Sequence, residues 1–367
     1  MEIESVECYT LKVPIGRTVG DSRLSITDVY WIVVEIETDT GVTGTGWMGS
    51  LGFGPDLLSQ IVDSQFAEYL EGRDPFALEA IHEDLRRQTI YYGETGMAAW
   101  PRGAIDVALW DVKAKAADQP LYRFLGGDDE RVPAYVSLMD ATEDDVDVVA
   151  ERHGRYADEG FTAFKTKVGN RPAGAEKQRV GAIRDAVGDD ASIFVDANQA
   201  WTVSEAIEHV RSMGEHGIDW VEEPISEYDL RGHERVADAI EPPLATGEMF
   251  YRPERFEFLF DVGRLGILQP DLVRLGGISG MQEAAGMAHR NNVPLAPHFY
   301  YAVSAHVVSA APTGKIAEYI PAYDVAEILA DPPTIENGEI VLPGRPGHGY
   351  EIDPGARAEY EIDPEEE

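Results

Sequence analysis

Eight side chains between residues 165 and 318 of this 367-residue sequence are of the types that metal-assisted acid–base chemistry uses. Lys165 and Lys167 flank Thr166; Asp196, Glu222 and Glu248 follow at intervals of 26 residues; Asp271 and His298 stand in Gln269-Pro270-Asp271 and Pro297-His298-Phe299; Glu318 comes last. Three carboxylates gathered at one place repel one another unless a cation neutralises them, and an all-oxygen set suits a hard ion such as Mg²⁺. Two lysines on one face of a strand each disfavour the charged state of the other, so one of them is expected to serve as a neutral base that takes a proton from carbon. An aspartate beside a histidine orients and polarises the imidazole as a second general base or acid.

Such separations require a fold that turns sequence distance into proximity. From residue 126 on, short apolar runs at 134–138, 163–168, 192–196, 220–222, 244–246, 267–269, 293–296 and 316–319 read as strands. Helical segments at 142–158, 175–187, 203–214, 254–262, 281–291 and 301–310 alternate with them. Each candidate side chain lies in or just after one of these strands. Eight strands with intervening helices fit a (β/α)8 barrel, whose strand C-termini converge on the face where active sites are built. A doubly wound open sheet is the competing arrangement. Residues 1–125 read differently: a β-meander at 5–13, 30–37 and 42–47, turning at Asp39-Thr40-Gly41, then helical spacing from Pro55 and over 103–117. The expected organisation is an α+β unit over 1–125, the barrel over 126–330, and a C-terminal segment over 331–367 with short strands and a solvated acidic end at 363–367.

Composition narrows the partners. Hydrophobic residues make up 44% of the chain and aromatics 9%, enough for a large core and far from a disordered profile. The balance of 30 Lys+Arg against 67 Asp+Glu gives a net charge of −37, which repels nucleic acid and anionic lipid. Only seven of the basic residues are lysines, and this dense acidic surface with scarce lysine resembles that of salt-adapted cytosolic proteins. No apolar run is long enough to span a membrane and the first residues carry no targeting pattern, so a cytoplasmic location is expected. Cys8, the single cysteine, excludes an internal disulfide or a cysteine-based metal site and reads as a small buried hydrophobe.

The motifs Phe164-Lys165-Thr166-Lys167-Val168-Gly169, Val195-Asp196-Ala197-Asn198-Gln199, Val221-Glu222-Glu223-Pro224, Gly247-Glu248, Pro270-Asp271 with Gly276-Gly277, and Pro297-His298-Phe299 resemble those of the mandelate racemase group of the enolase superfamily. The likeness extends to Ala104-Ile105-Asp106-Val107-Ala108-Leu109-Trp110-Asp111 and covers nearly the whole chain. It implies a modified (β/α)7β barrel capped by N- and C-terminal segments, a homo-oligomer, and Mg²⁺ held by Asp196, Glu222 and Glu248. It implies Lys167 as the base on one face of the substrate and His298, oriented by Asp271, as base or acid on the other. Lys165 would neutralise the substrate carboxylate and help keep Lys167 unprotonated, Asn198 would hydrogen-bond near the metal or substrate, and Glu318 would donate to a carboxylate oxygen of the enediolate. Enolase-superfamily sites use a Lys or His base with Mg²⁺ on such an intermediate.

Two acid/base groups on opposite faces permit two outcomes: dehydration of a sugar acid to a 2-keto-3-deoxy acid, which is the reading favoured here, or racemisation or epimerisation of a 2-hydroxy acid. A catalytically idle sugar-acid binder on the same fold is a third. Substrate choice is expected in the capping loops 15–23 and 47–54, with Arg17, Arg23 and Trp47 as candidates. Gly44-Thr45-Gly46-Trp47-Met48-Gly49 has the letters of a dinucleotide fingerprint but follows a hairpin and precedes no immediate helix. Asp39-Thr40-Gly41 has the letters of an aspartic protease site but occurs once, in a turn.

Overall fold

The computed structural model describes residues 1–262 and 264–363, so the expected acidic end lies, from residue 364 on, outside the described residues. The first three strands, β1 (Ile3–Gly20), β2 (Ser25–Thr38) and β3 (Thr43–Ser50), form an antiparallel meander. Its second turn is Asp39-Thr40-Gly41, where Gly41 adopts φ 76° and its N–H donates to Thr38 O at 2.8 Å. Only glycine takes that conformation without strain. β1 outruns the expected 5–13 because its register with β2 shifts between Pro14 and Val19, a bulge that absorbs the proline. A short strand at Glu361–Ile362 pairs with the outer edge of β1, bringing the C-terminal segment back to this sheet. Cys8 is only partly buried there, and burial pushes its thiol well up.

The helix Trp100–Ala116 packs directly on β3. A Cβ on Gly44 would stand 2.1 Å from Ala108 O, and one on Gly46 would stand 2.0 Å from Ala104 O. The glycines of the dinucleotide-like string are therefore explained by close approach of a helix to a strand. Asp106 and Asp111 on this helix tie the unit to the rest of the chain. Asp106 accepts from Ser279 Oγ (2.6 Å) and pairs with His82 Nε2 (2.6 Å), while Asp111 accepts from the backbone N–H groups of Thr45 and His348.

The strands β4 (Arg131–Leu138), β5 (Ala163–Lys167), β6 (Ser192–Asp196), β7 (Ile218–Glu222), β8 (Leu244–Thr246) and β9 (Leu265–Leu268) are parallel neighbours in sequence order, and β10 (Ala317–Tyr319) pairs parallel with β4. The gap between β9 and β10 is filled by residues 293–298. The strand expected at 293–296 exists there only as isolated bridges, because Pro294 and Pro297 have no N–H to extend a ladder. Leu295 and Ala296 nevertheless bond to both neighbours: Ala296 N donates to Leu268 O (2.9 Å) and Leu295 N to Thr313 O (2.8 Å). The wall is closed, which excludes the open doubly wound sheet.

Seven helices follow the first seven wall positions: Val146–Asp158, Ala173–Val187, Val203–Met213, Leu230–Ala237, Phe256–Val262, Gly277–Arg290 and Tyr301–Ala310. β10 is followed by short 3-10 turns at Pro321–Tyr323 and Val325–Ile328 in place of an eighth barrel helix, and the later helix Pro354–Tyr360 packs against β1, so the architecture is a (β/α)7β barrel under an α+β cap. No helix among the described residues is long and apolar enough to cross a membrane.

Candidate active site

One buried cluster explains the direction of all the candidate acid, base and carboxylate side chains but Glu248. Tyr135, Ala163, Phe194, Trp220, Ala245, Ile267, Ala296 and Ile316 contribute one residue from each wall position and plug the barrel interior. Side chains alternate across a strand, so positions two and four further on face the same interior, one layer nearer the strand C-termini. Those positions are Lys165 and Lys167 after Ala163, Asp196 after Phe194, Glu222 after Trp220, Gln269 and Asp271 after Ile267, His298 after Ala296, and Glu318 after Ile316. Glu248 is three residues beyond Ala245 and out of phase. Gly247 between them takes φ 142°, and a Cβ there would stand 3.1 Å from Gln269 backbone atoms, so a glycine bend brings Glu248 in.

The layer is closely connected. Lys167 Nζ lies 2.5 Å from Asp196 Oδ2. Lys165 Nζ lies 2.6 Å from Glu222 Oε1, 2.7 Å from Glu318 Oε1 and 3.5 Å from Asp196 Oδ2. Gln269 Nε2 donates to Glu222 Oε2 (2.7 Å), and Asn198 N donates to Asp196 Oδ1 (2.9 Å). On the opposite side His298 Nδ1 donates to Asp271 Oδ2 (2.8 Å), while its Nε2 stands 3.5 Å from Glu248 Oε2. The lysines and carboxylates are buried; His298 keeps 17% side-chain exposure and is the most open of the set.

Charge follows from this packing. Burial alone would lower Lys165 and Lys167, but Glu222 and Glu318 beside the first and Asp196 beside the second outweigh it and raise both. The repulsion between the lysines, from which a neutral base was expected, is thus overridden by ion pairing. Paired with Asp196, Lys167 stays a cation. Burial and the neighbouring charge of Asp196 push Glu222 up to about 8. Glu318 goes the other way: burial opposes it, but the Lys165 ammonium brings it down to about 2. Its Oε2 accepts from Phe299 N at 2.9 Å. Burial would also lower His298, yet Glu248 and the Asp271 hydrogen bond hold it above its ordinary range.

Among the described residues no three His, Cys, Asp or Glu side chains already form a cage for an ion, because the lysine ammonium groups occupy the carboxylates. By donor type the set still fits a hard divalent cation. Glu248 Oε2 and Asn198 Oδ1 are buried oxygens that accept no hydrogen bond, and they belong to the same cluster as Asp196 and Glu222.

Several residues at the site were not anticipated. Glu223 is buried at φ 37°; burial, Glu248 and Asp196 raise it well above the carboxylate range. Asp140 pairs with Arg179 (3.1 Å) beneath the Lys165–Lys167 strand, and Arg274 contacts Glu248. The capping loop is strapped to the barrel mouth by Ser22 Oγ, which donates to Ala197 O (2.9 Å), and Arg23 is near enough to lower Glu223. Trp47 is buried in a small aromatic pocket with Trp31, Phe299 and Glu318. Arg17 instead lines a separate groove of about 540 Å³ with Arg152, Arg155 and Asp324.

Residues 6–126 match the family described as Mandelate racemase / muconate lactonizing enzyme, N-terminal domain, and residues 147–356 that described as Enolase C-terminal domain-like. The chain is 30% identical over 352 residues to the 3,6-anhydro-alpha-L-galactonate cycloisomerase of Streptomyces coelicolor, covering 96% of this chain and 97% of that protein. It is 32% identical over 337 residues to the arabinonate dehydratase of Saccharolobus solfataricus, covering 90% of each. A solved racemase from Streptomyces coelicolor A3(2) with bound magnesium superposes at a TM-score of 0.94 and 29% identity, covering 98% of this chain and 100% of that one.

Proposed function

The chain belongs to the mandelate racemase / muconate lactonizing enzyme family of the enolase superfamily, and from that premise we propose that it is a Mg²⁺-dependent acid-sugar dehydratase forming a 2-keto-3-deoxy sugar acid. The observation that carries this reading is the pair of acid/base groups on either side of one carboxylate cradle: Lys167 at 2.5 Å from Asp196, and the His298–Asp271 dyad at 3.5 Å from Glu248.

Asp196, Glu222 and Glu248 would hold the ion, with Asn198 beside them. Bound there, magnesium supplies a fixed positive charge next to the substrate carboxylate. Lys167 removes the proton from the carbon alpha to that carboxylate and leaves an enediolate. His298 carries its proton on Nε2 while Nδ1 is committed to Asp271, and gives it to the departing β-hydroxyl, which leaves as water; the enol then tautomerises to the 2-keto acid. Lys165 supplies positive charge to the enediolate, and Glu318 acts by fixing Lys165. Arg23 and Trp47 shape the substrate side of the pocket.

The second reading, racemisation or epimerisation of a 2-hydroxy acid, is favoured by the same two-sided arrangement, since His298 could return a proton to carbon. Incubation with a panel of mono- and diacid sugars in molar salt, with Mg²⁺, separates them: a 2-keto product trapped by carbonyl derivatisation supports dehydration, inversion at C2 without it supports epimerisation, and neither with any acid overturns both. We also read the net charge of −37 as adaptation to high salt, and carry over a homo-oligomer from the resemblance.

A further inference from the structure

Arg274 lies in the loop between β9 and the helix Gly277–Arg290, and none of the steps above uses it. Its side chain is only 17% exposed. Nη1 donates to Glu248 O at 3.0 Å, reaches Glu248 Oε1 at 3.5 Å and touches Met249 Sδ at 3.0 Å. Its backbone N–H donates to Asp271 Oδ1 at 2.9 Å, the oxygen that His298 does not use. The guanidinium is backed by the Trp100 ring, 5.7 Å from its centroid, at the start of the cap helix. A planar, permanently charged group with several donors is suited to holding two acceptors of one residue at once, and a lysine is not.

Glu248 needs such a hold because it reaches the site through the Gly247 bend and not by strand alternation. With the main-chain oxygen and Oε1 facing Arg274, the remaining oxygen, Oε2, is the one left without a hydrogen bond and turned toward His298. We infer that Arg274 is a positioning residue that fixes the Glu248 carboxylate for the cation and, through its main chain, the Asp271 carboxylate for His298, so that metal binding and the His298 dyad share one anchor. The inference rests on the functional reading above.

Two effects of opposite sign follow from removing the side chain. Loss of a positive charge beside carboxylates favours cation binding; loss of the clamp lets Glu248 swing and disfavours it. Titration of Mg²⁺ as MgCl₂ by calorimetry into the full chain, its Arg274→Met and Arg274→Lys variants and a Glu248→Gln control decides which wins. The expected result is Mg²⁺ binding at least tenfold weaker in Arg274→Met, with a melting temperature close to the parent's, and a partial recovery in Arg274→Lys, which regains one contact to Glu248 O. A merely structural role lowers the melting temperature and leaves the affinity of the folded protein alone. Affinity in either variant equal to or tighter than the parent's overturns the inference. If Arg274→Met does not fold, Arg274→Lys is read by the same criterion. Failure of the unaltered protein to bind Mg²⁺ overturns the functional reading itself, a result visible before any variant is compared.

Discussion

Lys165 Nζ and Glu318 Oε1 stand 2.7 Å apart in the barrel interior, joining β5 to β10, and the same ammonium reaches Glu222 on β7 at 2.6 Å. One cation therefore holds three parts of the barrel wall and neutralises a layer that otherwise carries excess negative charge. Removing one partner of a buried ion pair leaves the others unpaired in low dielectric, at a cost of about 3–5 kcal/mol. Lys165→Met should lose about that much stability in urea unfolding at neutral pH, together with activity. An unchanged unfolding midpoint would show that the carboxylates relax or take up protons instead.

The two acid/base groups make separable predictions. If Lys167 takes the alpha proton and His298 protonates the leaving hydroxyl, His298→Asn should still exchange the alpha proton for deuterium in D₂O, seen by proton NMR, while product formation falls about 10²–10⁴-fold. Lys167→Ala should lose both. Exchange surviving in Lys167→Ala and lost in His298→Asn would reverse the roles.

The period of two within strands made much of this site legible. The strands at Ser192–Asp196 and Leu244–Thr246 have the expected limits because each is a short apolar run stopped by a charge or a glycine. At the seventh wall position Val293, Leu295 and Ala296 read as a strand, but two prolines reduce it to bridges while the wall still closes. Leu230–Ala237 went unread because eight residues give barely two turns of periodicity. Arg274 and Asp140 carried no signal: single charged loop residues in a chain that is 26% charged are marked only by what they touch. Spacing likewise shows two ammonium groups together but not the carboxylates of Asp196, Glu222 and Glu318 packed around them.

Gly46 offers a test of the packing explanation for the dinucleotide-like string. A methyl group there would lie 2.0 Å from the Ala104 carbonyl oxygen, a backbone atom on a helix that cannot step aside alone. Gly46→Ala should cost about 1–3 kcal/mol through overpacking, measured by thermal or urea unfolding. Gly41→Ala in the exposed hairpin, where no atom lies within 4 Å, should cost less and act only through its left-handed backbone.

The net charge of −37 predicts a salt response. The screening length falls from about 10 Å at 0.1 M to about 3 Å at 1 M, so repulsion among exposed carboxylates weakens steeply over that range. The buried ion pairs of the barrel interior are screened far less. The melting temperature should therefore rise by several degrees between these KCl concentrations. A flat or falling curve would remove the basis for reading the surface as salt-adapted.

His306, on the helix Tyr301–Ala310, is fully buried between Tyr122 and Tyr350, with ring centroids 6.1 and 6.4 Å away. Burial, and secondarily the nearby His348, bring its pKa down to about 3. An unfolded histidine titrates near 6.5. Between those values the unfolded chain holds a proton that the folded chain refuses, so stability contributed by the neutral ring is complete above about pH 6.5 and falls as the pH drops toward 3, by at most about 1.4 kcal/mol per pH unit. His306→Phe keeps an aromatic ring in the same space and removes the titration. Unfolding free energies measured from pH 7 to 5 should fall less steeply for this variant than for the parent, by a slope equivalent to about one proton. Parallel slopes would mean that His306 finds a way to ionise inside the folded protein, through water entry or local opening of the seam between this helix and the C-terminal segment that carries His348 and Tyr350.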